Sequence, residues 1–180
     1  MISEKNMMHG VDYLDEDVSG WWMSEKLDGC RAYWDGECMW SRGGKVIAIP
    51  DVMRAALPVG VALDGEIHAG RGGFEVARKA VQYNHWAPEC KFSAFDVPSL
   101  KDHPFYIRYE ALARELQSDG VVTYIQHIPC ADVNRAVGFM ELIQLEGGEG
   151  VVLRDPSALY TAGRVVSVLK LKEEPELCCR

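Results

Sequence analysis

"SEKLDGCR", residues 24–31, sets a lysine two positions before an Asp-Gly pair and five before an arginine. It follows the tryptophans of "GWW" and runs directly into "AYWDGECMW" at 32–40. There Asp35-Gly36 suits a two-residue turn between apolar, aromatic-rich arms, so an antiparallel hairpin is predicted. An amine, a carboxylate, a glycine and a guanidinium therefore gather at the mouth of a strand.

Outward from this hairpin, further strands are predicted in "VALDGEIH" (61–68), "KFSAFDV" (91–97), "EGVVLRD" (149–155) and "VVSVLKLK" (165–172). Each is a short apolar or β-branched run bounded by Gly, Pro or Asp. Helical spacing is found instead in "FEVARKAVQYN" (74–84), "YIRYEALARELQ" (106–117) and "DVNRAVGFMELIQ" (132–144). "PDVMRAAL" (50–57) is a shorter helix beginning on a proline. Helices punctuate strands irregularly, which gives an α+β class with mainly antiparallel sheets flanked by helices.

A chain of 180 residues, 48% hydrophobic, fills one core and is read as a single domain, 1–180. Its 27 acidic and 19 basic residues leave a net charge of -8, which opposes any broad attraction to phosphate backbones. The six cysteines, at 30, 38, 90, 130, 178 and 179, form no CxxC pair or zinc spacing and are expected to be free, buried thiols. The tail "KEEPELCCR" at 172–180 is read as a frayed end or as the start of a hinge to a further module. The acidic N-terminus lacks a signal-peptide core and no run reaches membrane-spanning length, so a cytoplasmic location and no membrane partner are expected.

A lysine is a poor nucleophile while protonated, with a free pKa of about 10.4, and works only where its surroundings favour the neutral amine. Lys26 is the one lysine in a KxDGxR context. Glu66 follows an Asp64-Gly65 pair that suits a turn. Alternation along "KFSAFDV" puts Ser93 and Phe95 on one face, with Phe92 and Ala94 on the other. The same alternation separates Lys170 and Lys172 from Leu169 and Leu171. "GGK" at 43–45 lacks the spacing and the hydroxyl residue of a phosphate-cradling P-loop, since Val46 follows the lysine.

Five segments in order, "EKLDGCR" (25–31), "LDGEI" (63–67), "FSAFDV" (92–97), "EGVVLR" (149–154) and "LKLK" (169–172), resemble the motif series of covalent nucleotidyltransferases. With "SRGG" (41–44) and "GRGGFE" (70–75), the pattern most resembles the adenylation domain of small bacterial and phage ATP-dependent DNA ligases. The resemblance implies a ligase-type nucleotidyltransferase, ATP-grasp-like fold. It implies ATP and Mg²⁺ as cofactors, with AMP carried covalently on Lys26 and passed to the 5′-phosphate of nicked double-stranded DNA.

On the same resemblance Glu25, Arg31, Glu66, Phe95, Lys170 and Lys172 hold the nucleotide, Phe95 by stacking on the base. Glu149 and Glu66 bind the metal, and Arg42 meets DNA. Such ligases carry an OB-fold domain after the last lysine motif, whereas this sequence ends eight residues past Lys172. A C-terminal OB-fold domain is thus expected to be absent, DNA binding weak and the protein monomeric. RNA ligases, GTP-dependent capping enzymes and a catalytically silent nucleotide-binding relative are the alternative readings.

Overall fold

A computed structural model describes residues 4–117 and 120–172. The tail beyond Lys172, with Cys178 and Cys179, lies outside the described residues. Two sheets are formed. In the first, β1 (Met8–Asp12), β11 (Gly163–Leu171), β10 (Gly150–Arg154), β2 (Trp22–Lys26) and β9 (Ile128–Pro129) lie side by side in that order. In the second the order is β5 (Val46–Ile47), β4 (Met39–Ser41), β3 (Gly29–Trp34), β6 (Leu63–His68), β7 (Lys91–Asp96) and β8 (Val122–Tyr124). Pairing is antiparallel except for β1 with β11 and β7 with β8.

Each sheet has its own core. Helices α1 (Asp51–Ala56), α2 (Phe74–Tyr83) and α3 (Phe105–Glu115) cover the second sheet, burying Met53, Ala77 and Leu112 with Phe92, Ala94 and Ile67. Helix α4 (Val133–Leu145) covers the first, burying Ala136, Met140 and Ile143 against Val151, Leu153, Leu169 and Leu171. The spacing i, i+4, i+7 puts those three α4 residues on one stripe. The Asp132 side chain caps α4 by accepting from the Arg135 N–H at 2.9 Å, and Asn84 closes α2 in the left-handed region.

Every strand and helix read from the sequence forms, with differences of detail. The β3–β4 loop spans four residues, 35–38, because the Asp35 carboxylate accepts from the Glu37 and Cys38 N–H groups at 2.9 and 2.7 Å and from the Trp40 indole at 2.5 Å. Asp64-Gly65 is no turn: both residues lie inside β6, and the pairing with β7 shifts between them. Asp64 pairs with Asp96 and Gly65 with Ala94, which leaves Phe95 as the extra residue of a β-bulge. Strands β1, β2, β5, β8 and β9 escaped the sequence reading. Among the described cysteines, Cys90 and Cys130 are buried, while Cys30 and Cys38 are only partly so.

The two sheets meet where the chain leaves β2 and enters β3, with only Leu27 and Asp28 between them. A residue at this crossing is fixed by both sheets at once. Among the described residues no helix is long and apolar enough to cross a membrane.

Gly65 lies where a Cβ would come 2.6 Å from the Phe92 ring and from the Ser93 carbonyl oxygen. Gly65→Ala should therefore destabilise the domain by about 1–3 kcal/mol, the usual range for overpacking, measured as a lowered denaturation midpoint.

Candidate active site

A cavity of about 560 Å³ opens between the sheets. Its wall takes Lys26 and Glu25 from the end of β2, Arg31 from β3, Glu66 from β6, Phe95 from β7 and Lys170 and Lys172 from β11 and just beyond it. Arg42, in the turn after β4, lines the same cavity, so the residue assigned to DNA sits with those assigned to the nucleotide. Glu149 does not line it. It lies on a smaller adjoining cavity of about 220 Å³ that shares Glu25, Lys26 and Leu27 with the first.

Lys26 thus stands between two spaces, and its Nζ donates to Glu149 Oε2 at 2.5 Å. Lys172 Nζ reaches the other oxygen, Oε1, at 2.8 Å. Burial works to raise the Glu149 pKa, but hydrogen bonds from Lys172 and Lys26 outweigh it and hold the carboxyl below its ordinary value. Lys170 is shifted downward, first by burial and then by repulsion from Lys26, Lys172 and Arg42, with Asp12 opposing. As alternation required, Leu169 and Leu171 are buried while Lys170 faces the cavity.

Phe95, re-aimed by the bulge, is only partly buried, in contrast to the fully buried Phe92 three residues earlier. The guanidinium carbons of Arg31 and Arg154 lie 4.6 and 5.4 Å from its ring centre. Arg31 is itself anchored, donating from Nε and Nη2 to the Asp64 carboxylate at 2.6 Å each and from Nη2 to the Met8 carbonyl at 2.8 Å. Tyr160 adds a third donor to Asp64, at 2.6 Å.

Beneath this layer the fully buried Asp96 accepts from Arg108 at 2.6 and 3.0 Å and from Arg154 Nη1 at 2.6 Å. Arg154 lines the cavity and its pKa is lowered by burial, an effect that Asp96 opposes and Arg108 adds to. Its Nε and His127 Nε2 are the buried side-chain polar atoms without a partner among the described residues. Burial pushes the His127 pKa down to about 3. Asp64, Asp96, Arg108 and Arg154 escaped the sequence reading. The available signal was a charged residue closing or interrupting an apolar strand, as in "AFD" and "VVLR".

The DNA ligase of Haemophilus influenzae is 33% identical over 164 residues, covering 89% of this chain and 60% of that relative. A structure described as "DNA binding with a minimal scaffold: Structure-function analysis of Lig E DNA ligases" aligns with a TM-score of 0.78 at 30% identity, over 92% of this chain and 69% of that one.

The chain belongs to the DNA ligases.

It spans 60% of the length of the curated relative it matches. The DNA ligase-adenylate of Chlorella virus shares the fold, with a TM-score of 0.71 at 23% identity over 92% of this chain and 66% of its own. No family model matches the sequence. The α+β expectation holds. Its family membership also favours the DNA ligase reading over the RNA ligase and capping-enzyme alternatives.

Burial raises the Glu66 pKa to about 7 from 4.5, with Arg31 and Lys26 opposing. A carboxyl raised on folding is most stabilising while protonated in both states, so that contribution declines as pH climbs from about 4.5 to 7. Measured against Glu66→Gln across this window, the wild type should lose relative stability with rising pH, by up to roughly 3 kcal/mol at 1.4 kcal/mol per pKa unit. Parallel stability curves for the two proteins would refute the assignment.

Proposed function

We propose that residues 1–180 form the adenylation domain of an ATP-dependent DNA ligase, and that Lys26 carries the AMP. The observation that supports this most directly is the position of Lys26. It lies at the crossing of the two sheets, on the wall of a cavity that also presents Glu66, Phe95, Arg31 and Lys170.

In this reading Phe95 stacks on the adenine, with Arg31 and Arg154 against its ring. Glu66 accepts from the ribose hydroxyls. Lys170 and Lys172 approach the α-phosphate, where fixed ammonium groups stabilise charge that develops in the transition state. The Lys26 nitrogen attacks the α-phosphorus, an N–P bond forms, and the P–O bond to pyrophosphate breaks. Glu149 Oε2 is placed to take the proton that Lys26 gives up. An oxygen of the 5′-phosphate at a DNA nick then displaces Lys26 from phosphorus. The strand's 3′-hydroxyl finally displaces AMP and seals the backbone. Arg42, at the rim, contacts the nicked duplex.

The fold family implies a divalent cation, and the donor set fits Mg²⁺. Among the described residues no group of three metal-ligating side chains occurs. Mg²⁺ needs only one or two carboxylates when substrate phosphates supply further oxygens. Glu66 and Glu149, on the two adjoining cavities, are the carboxylates that would hold it. When bound, the cation neutralises charge on the triphosphate as the leaving group departs.

Incubating the 180-residue chain with α-labelled ATP and Mg²⁺, then running a denaturing gel, should show an acid-labile labelled band. Lys26→Ala should abolish the band while leaving the thermal transition in place, and surviving label would overturn the assignment of the nucleophile. Phe95→Leu should weaken ATP binding by about 1 kcal/mol, read by titration. A loss of stability with affinity unchanged would instead make Phe95 a packing residue.

A further inference from the structure

Arg71, in the "GRGGFE" segment, is assigned no contact with the nucleotide, yet it reaches the residue next to Lys26. It lies in the five-residue loop 69–73 between β6 and α2, on the second sheet. From there its Nε and Nη2 donate to both carboxylate oxygens of Glu25, at 2.8 and 3.0 Å, and its Nη1 donates to Glu146 just past α4. Glu25 and Glu146 belong to the first sheet and its helix. One guanidinium therefore ties the two halves together across the smaller cavity, on the side of Lys26 away from Phe95.

An exposed ion pair ordinarily contributes little, largely because two long side chains must be immobilised. Here the loop does much of that ordering beforehand. Gly70 and Gly72 flank Arg71 with φ of +80° and +68°, in the left-handed region that favours glycine. The Gly70 N–H donates to His68 Nδ1 at 3.3 Å, and the Gly73 N–H donates to the Gly70 carbonyl at 3.2 Å. A Cβ at Gly73 would come within 2.5 Å of the Ala69 carbonyl oxygen, so the loop closes tightly on itself. A planar fork gripping a carboxylate with two parallel bonds also fixes direction as well as distance.

We infer that Arg71 is a positioning residue for the transfer of AMP to Lys26, acting by clamping Glu25 and so holding the β2–β3 crossing. Glu25 pairs with Val151 and Lys26 with Gly150 in the same ladder, and after only two intervening residues the chain is in the other sheet. Freed of Arg71, the crossing is held on this side by β2–β10 pairing and the Lys26–Glu149 contact, neither of which reaches the second sheet. A displacement of about 1 Å in the attacking amine is enough to cost on the order of a hundredfold in rate. The inference rests on the proposed role of Lys26.

The test compares Arg71→Met, Glu25→Gln and the double variant with the wild-type chain, measuring self-labelling rate against ATP concentration. Arg71→Met should slow labelling at saturating ATP by roughly ten- to a hundredfold with the KM for ATP unchanged. Glu25→Gln should also slow labelling, and the double variant should be no worse than Arg71→Met alone, because Arg71→Met already breaks the link that Glu25→Gln weakens. Arg71→Lys, with a single point charge in place of the fork, should recover part of the rate. Hydrogen exchange should quicken at the amides of 25–29 in both single variants, a readout that does not depend on labelling.

An unchanged rate, a raised KM with the rate preserved, additive losses, or unaltered exchange at 25–29 would each overturn the inference. A wild-type chain whose label survives Lys26→Ala would overturn the nucleophile assignment instead, while the exchange result would still decide whether Arg71 holds the crossing.

Discussion

Two buried aspartates of one sheet hold the other sheet in place, and the cavity exists because they do. Asp96, on β7, grips Arg108 of α3 and Arg154 of β10, while Asp64, on β6, grips Arg31 of β3, which in turn donates to the Met8 carbonyl of β1. β7 and β6 belong to one sheet, β10 and β1 to the other. Apolar contacts are tolerant of small slides, but a bidentate carboxylate–guanidinium pair is not. Such pairs are weak contributors to net stability, since taking the charges out of water opposes much of their attraction. Their removal is another matter. Loss of one partner leaves a charge stranded in the interior, so the network sets the relative position of the sheets more than it strengthens either.

The sequence discloses the fold unevenly, for physical reasons. Strands with clean apolar runs, such as "VVSVLKLK", and helices with a regular stripe, such as 132–144, announce themselves. β1, "MHGVD", and β9, "IP", do not, because each is short and takes its strand character from a neighbour's hydrogen bonds. β2 is hidden differently. "WMSEK" alternates poorly because its residues serve two cavities and a ladder at once. The Asp64-Gly65 pair was misleading for a related reason: glycine serves there to admit the Phe92 ring and not to turn the chain.

The site is more legible than the fold around it. Lys26, Arg31, Glu66, Phe95, Lys170 and Lys172 were all singled out by motif order, and all line one cavity. Chemistry constrains residue type tightly, so it leaves a mark in the sequence. Support does so less. Arg71 and Arg154 are defined by what they touch across long sequence separations, 46 residues for Arg71 with Glu25 and 58 for Arg154 with Asp96, and no local pattern names those partners.

The buried network also has a consequence for how ionic strength should act. Three guanidiniums, of Arg31, Arg108 and Arg154, face two carboxylates, of Asp64 and Asp96, so the ground beneath the cavity carries an unbalanced positive charge inside a chain whose overall charge is -8. A polyphosphate approaching from solution meets a repulsive far field and then an attractive near one. Salt screens the two unequally, because exposed charges further apart than about 8 Å are largely masked at physiological ionic strength while buried ones are masked far less. Moderate salt therefore lowers the outer barrier before it erodes the inner well, which is the reverse of what an evenly basic nucleotide-binding surface experiences.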